Sequence, residues 1–88
     1  MKIKSGFVLR QVGEQYAVVP VGVQTVDFRC VITLNETGGF LWQQLQEETT
    51  PEAVAQALLA EYEVSPETAA ADVATFVERL RENRLLDE

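Results

Sequence analysis

The chain has no histidine, a single cysteine and only seven lysines and arginines against fourteen acids. Without imidazole it lacks the side chain that most often moves protons near neutral pH, and it cannot build a conventional Cys/His zinc site. Cys30 has no partner for an internal disulfide, which fits a reducing compartment. It follows Phe28 at strand spacing and precedes Val31 and Ile32, so it reads as a small buried apolar side chain. Arg29, the cation that could activate its thiol, is adjacent in sequence and would point to the opposite face of a strand. No apolar run approaches the ~18 residues of a membrane span, and no signal peptide opens the sequence. A soluble, cytoplasmic protein is expected. Nucleotide-binding and nucleophile motifs are also missing, so the sequence offers nothing on which to build catalysis or to hold a cofactor.

What is present describes a small folded domain. The apolar fraction is 47% of 88 residues, enough for a core but only one, so residues 1–88 are read as a single domain. Its stability should be near the low end for natural domains, about 5 kcal/mol. Charge is unevenly spread. Residues 1–35 carry Lys2, Lys4, Arg10 and Arg29 against Glu14 and Asp27, a net of +2, whereas residues 36–88 carry three arginines against twelve acids, a net of −9. That balance repels phosphate backbones and disfavours nucleic-acid binding.

The pattern along the chain is three strands and then three helices. Residues 7–12 and 15–21 are rich in β-branched and aromatic side chains, and Gly13-Glu14 between them suits a type II′ hairpin. A third strand is predicted over residues 26–33. Asn35 is a good N-cap, followed by Glu36 where the helix dipole favours negative charge, and a helix over residues 36–46 buries Leu41, Trp42 and Leu45 with Phe40 on the flank. Gly38 and Gly39 in its first turn would let another backbone approach. Thr50-Pro51-Glu52 and Ser65-Pro66-Glu67 then repeat one device, a hydroxyl N-cap, proline at the first helical position and an acid. They open helices over residues 51–62, with Val54, Ala55, Leu58, Leu59 and Tyr62 on one side, and 66–83, with Ala69, Val73, Phe76, Val77 and Leu80. Leu85 and Leu86 would close over the core. The order predicts an α+β fold, winged helix-turn-helix-like, with a three-stranded antiparallel sheet followed by three helices.

Two segments carry more than patterning: Leu34-Asn35-Glu36-Thr37-Gly38-Gly39-Phe40-Leu41-Trp42 and, thirty residues on, Asp72-Val73-Ala74-Thr75-Phe76-Val77-Glu78-Arg79-Leu80. With the hairpin before them and Leu85-Leu86 after, their order and spacing resemble the PqqD family, also called peptide recognition elements. The resemblance implies a non-catalytic peptide chaperone without cofactor or metal. Such a protein binds the leader of a ribosomally synthesised precursor peptide as an added β-strand and presents it to a radical S-adenosylmethionine enzyme or another modifying enzyme. It leaves open whether the pathway makes pyrroloquinoline quinone, a lasso peptide or another modified peptide. One departure stands out. Where the family has Gly-Leu after the third helix, this chain has Arg84-Leu85, and Asn83 is expected to take the left-handed conformation instead.

Carried to this sequence, the resemblance puts the leader on the third strand, at Val26, Phe28, Cys30, Val31, Ile32 and Thr33, opposite a wall from the third helix. Ala70 and Ala74, small and one turn apart, would form a floor with Val77, and Arg81 would anchor an acidic leader residue. Asp72 is balanced between a partner-binding acid and solvated helix surface, and Trp42 reads as core. An exposed sheet edge also allows strand-paired homodimers. Two other functions fit the architecture: a winged-helix transcriptional regulator, though the first two helices carry acids and no lysine or arginine, and a structural subunit of a larger biosynthetic complex.

Overall fold

The computed structural model describes residues 1–21 and 32–87. In chain order the elements are β1 (Lys2–Ile3), β2 (Phe7–Val12), β3 (Gln15–Pro20), β4 (Ile32–Leu34), α1 (Glu36–Gln44), α2 (Pro51–Glu61), α3 (Pro66–Glu82) and β5 (Leu86–Asp87). Strands β2, β3 and β4 form an antiparallel sheet in that spatial order, and β1 pairs with β5 in a second, two-stranded one. The predicted hairpin, three helices and α+β class are all present, with helix ends within two residues of expectation. The predicted third strand is described only over its last residues and extends to Leu34; residues 22–31 lie outside the described residues.

The hairpin determines which way each backbone group of the sheet points. Gly13 has φ +64, while positive φ among the other described residues occurs only at Gly6 and Arg84, as a type II′ turn with glycine first requires. The two-residue connection makes Val12 and Gln15 a hydrogen-bonded pair, and bonding alternates from there. At the far end Val21 N–H donates to the Gly6 carbonyl at 2.8 Å, in phase with that alternation. Residues 15, 17, 19 and 21 therefore direct their backbone groups to β2, and Tyr16 and Val18 direct theirs to β4. Because Tyr16 registers with Leu34 and Val18 with Ile32, those two β4 residues bond inward to β3. Thr33 between them turns its N–H and C=O outward, to the edge of the sheet.

Each helix starts where its cap chemistry dictates. The Gly38 N–H donates to Asn35 Oδ1 at 2.8 Å, Ala53 N–H to Thr50 Oγ1 at 3.1 Å and Thr68 N–H to Ser65 Oγ at 3.1 Å. In each case a first-turn amide that the helix leaves without a partner is satisfied. Gly39 is needed for a contact other than the backbone approach expected of it. A Cβ there would lie 2.8 Å from Tyr16 Cδ2, so it is the tyrosine ring of β3 that packs into the space. At Gly38 a Cβ would lie 3.0 Å from Leu34 Cβ, which brings the end of β4 tightly against α1.

One core joins sheet and helices. Val18, Ile32 and Leu34 from the sheet meet Leu41, Trp42 and Leu45 of α1 and its end, Val54 and Leu58 of α2, and Ala69, Val73, Phe76, Val77 and Leu80 of α3. Phe40, on the flank of α1, meets Tyr62 edge to face at a centroid distance of 5.5 Å. The Tyr62 hydroxyl titrates above the ordinary tyrosine range, first through desolvation and then through Glu36 and Glu61, so it stays neutral at physiological pH. The termini, which sequence reasoning left without strands, are tied down by β1–β5 pairing and by Ile3 N–H to the Leu45 carbonyl at 2.9 Å.

The end of α3 corrects the expectation at Asn83. Asn83 has φ −95, and the left-handed residue is Arg84, φ +58. Leu85 N–H donates to the Leu80 carbonyl at 2.9 Å and Arg84 N–H to the Arg81 carbonyl at 3.1 Å, the paired bonds of a Schellman motif. Leu80 and Leu85, the residues that make its apolar contact, are both fully buried. The geometry is thus the one a glycine would adopt, held by arginine at a cost of about 1 kcal/mol. Arg84→Gly is expected to raise Tm by roughly 2–4 °C, since relief of that strain is partly offset by the freer unfolded chain. A thermal melt followed by circular dichroism measures it, and an unchanged or lower Tm would mean that Arg84 makes a compensating contact.

Candidate functional site

Strand β4 is an edge strand in the described sheet, and α3 runs beside it. Between them, at the turn from β4 into α1, lies a cleft of about 370 Å³. Leu34, Asn35, Thr37, Gly38 and Leu41 form one wall; Asp72, Thr75, Phe76 and Arg79 of α3 form the other. The two motif segments, far apart in sequence, are therefore the two sides of one opening. The helical repeat explains the second wall: residues 72, 75, 76 and 79 recur on one face, with Phe76 reaching into the core and the other three exposed at the rim.

Arg79 links the two walls. Its Nη2 donates to the carbonyl of Thr33 at 2.8 Å, the carbonyl that the sheet register turns outward. A guanidinium thus covers the polar edge at the position where an added strand would bond. Asp72 lies seven residues earlier on the same helix face, roughly 10 Å away at ~1.5 Å per residue. The two charges do not pair with each other, and neither pairs with an opposite charge among the described residues.

Of the residues predicted to hold a peptide, Val26, Phe28, Cys30 and Val31 lie outside the described residues. Ile32 is in place but buried, with its backbone turned to β3; Thr33 is exposed with its backbone outward. On α3, Val77 is buried in the core, and Ala70 and Ala74 are exposed. Arg81 makes a 3.1 Å ion pair with Glu78. At about 100° per residue, Ala70, Ala74 and Arg81 fall on one flank of the buried stripe of α3, and Asp72, Thr75 and Arg79 on the other. Of these only Arg79 is bonded to Thr33; with Asp72 and Thr75 it lines the cleft, which Ala70, Ala74 and Arg81 do not. Arg79 and Thr75, which line this cleft, are not among the expected residues, because that expectation takes small residues as the mark of a groove. The signal that could have found them is their spacing from the motif residue Asp72, three and seven positions on.

A three-stranded antiparallel sheet followed by three helices, with an edge strand facing the third helix across a cleft, defines a small α+β domain of the winged helix-turn-helix kind. The chain belongs to the PqqD family: the family model described as coenzyme PQQ synthesis protein D (PqqD) matches residues 25–86. Two solved structures are similar over nearly their whole length. "TbiB1 in Complex with the TbiA(beta) Leader Peptide" matches at 25% identity and TM-score 0.76, covering 99% of this chain and 95% of that one. "Lasso peptide synthetase B1 complexed with the leader peptide" matches at 26% identity and TM-score 0.72, covering 96% and 93%. No curated protein sequence matches significantly. Among the described residues no helix is long and apolar enough to cross a membrane, and no three or more metal-ligating side chains gather.

Proposed function

We propose that this protein is a non-catalytic peptide chaperone. It binds the leader of a ribosomally synthesised precursor as a strand added to β4 and presents the precursor to a modifying enzyme, of the radical S-adenosylmethionine class or another. The observation that carries this reading is the outward-facing backbone of Thr33, set against a cleft lined by both family segments. An extended peptide can satisfy such an edge with main-chain hydrogen bonds while pockets read alternate side chains. Support also comes from the two similar structures, each a complex with a leader peptide. Tethering a precursor in this way speeds its modification by raising its effective concentration at the enzyme, with no chemistry by the chaperone itself.

The binding footprint tests the assignment. Titrating the ¹⁵N-labelled protein with a synthetic leader from the cognate precursor is expected to shift the amide resonances of Thr33, Thr75, Phe76 and Arg79 together, since they border one opening. Shifts confined to α2 would move the site away from β4 and sink strand addition at this edge.

A further inference from the structure

We infer that Arg79 guards the strand edge and selects its ligand, admitting extended peptides that carry an acidic side chain beside Thr33. The inference deepens the leader-binding reading and rests on it. The Arg79 guanidinium is bonded to the Thr33 carbonyl at 2.8 Å, the main-chain acceptor that an added strand has to reach. A peptide offering only a neutral N–H must displace or share a charge-assisted bond, which is the stronger of the two. A peptide that brings a carboxylate gives the guanidinium a better partner, two parallel N–H···O bonds to a full negative charge, and so frees the carbonyl for the strand.

The surroundings sharpen this selection. Residues 36–88 carry a net charge of −9, so an acidic peptide is repelled by most of the helical half and attracted at the guanidinium. Arg81, the next cation on α3, already pairs with Glu78, whereas Arg79 has no carboxylate partner among the described residues. Asp72 at the other end of the cleft carries the opposite sign, so an acid placed there would be disfavoured. The two together fix where along the edge the acidic side chain must sit, and with it the register of the strand. The same guard works against pairing with a second copy, because a charged side chain over an outward carbonyl hinders strand-to-strand association.

Selection from a displayed library of random twelve-residue peptides tests the inference whatever the sequence of the precursor. Peptides enriched on the wild-type protein are expected to share an acid at one position of an alternating apolar pattern. Replacing that acid with glutamine should weaken binding about fivefold, as an exposed ion pair allows. Selection on Arg79→Glu should instead enrich lysine or arginine at that position, and Arg79→Gln should bind the acid and glutamine peptides alike. Circular dichroism melts of both variants check that the fold is kept. The same consensus from wild type and Arg79→Glu would overturn the role of Arg79 and leave strand addition standing. No enrichment on either protein would overturn the peptide-binding reading and this inference with it.

Discussion

Ile32→Pro is expected to unfold the domain, and Thr33→Pro to leave it folded but unable to add a strand. The two positions are adjacent in sequence and both belong to β4, yet they differ in the direction of the backbone. Ile32 bonds inward to Val18 of β3 and buries its side chain to 8% exposure. Proline there removes the N–H, strands a buried acceptor at ~1–3 kcal/mol and forfeits a further ~2 kcal/mol of side-chain burial. Together these approach the whole margin of a domain this size, about 5 kcal/mol. Thr33 gives up no bond within the sheet when its N–H is removed, and proline is tolerated on an edge strand whose N–H faces outward. Its loss is felt by the incoming peptide alone. Circular dichroism with calorimetric titration separates the cases. A folded Thr33→Pro that binds the leader with unchanged affinity would mean that the peptide is read by side chains and not as a strand.

Trp42→Ala should cost about 3–5 kcal/mol, the largest effect expected of a side-chain truncation here. Trp42 belongs to the first family segment, which invites an interface role, but it is only 2% exposed and packs with Leu41 and Leu45 in the common core. Its truncation leaves a cavity where α1 meets the rest of the molecule. Trp42→Phe keeps most of the apolar volume and should cost less, roughly 1–3 kcal/mol. Urea denaturation followed by circular dichroism ranks the three proteins. If Trp42→Ala kept the wild-type midpoint and lost only peptide affinity, the tryptophan would have to be an interface residue.

The core side chains of the three helices were readable without coordinates because the cause of each is local. Ala69, Val73, Phe76, Val77 and Leu80 recur at the helical period, and Asn35, Thr50 and Ser65 each cap a helix within three residues of themselves. Less of the candidate site was readable. The pairing of the two family segments could be suspected from resemblance, but that Asp72 and Thr75 face Thr37 and Gly38 depends on how α3 packs against the β4–α1 turn. That Arg79 and not Arg81 lines the cleft has the same origin. Both lie near the end of α3, and two residues of helix rotate a side chain by about 200°, so only the packing of α3 against the sheet selects one.

The amino-acid sequence by itself determined the strand-then-helix order, the helix starts and the apolar stripes, since periodicity, caps and turn residues act over a few neighbours. It also determined the sign of the charge and the lack of imidazole chemistry. Tertiary structure decided the rest. The phase of backbone bonding, carried from the Gly13 turn across β3, made Thr33 the outward residue; the meeting of β4 with α3 placed a guanidinium on its carbonyl. At the end of α3, apolar closure between Leu80 and Leu85 pulled Arg84 into a conformation that its side chain disfavours. The first two features join residues distant along the chain, whose geometry no local rule specifies; the last spans only residues 80–85, and burial of both leucines in the common core holds it closed.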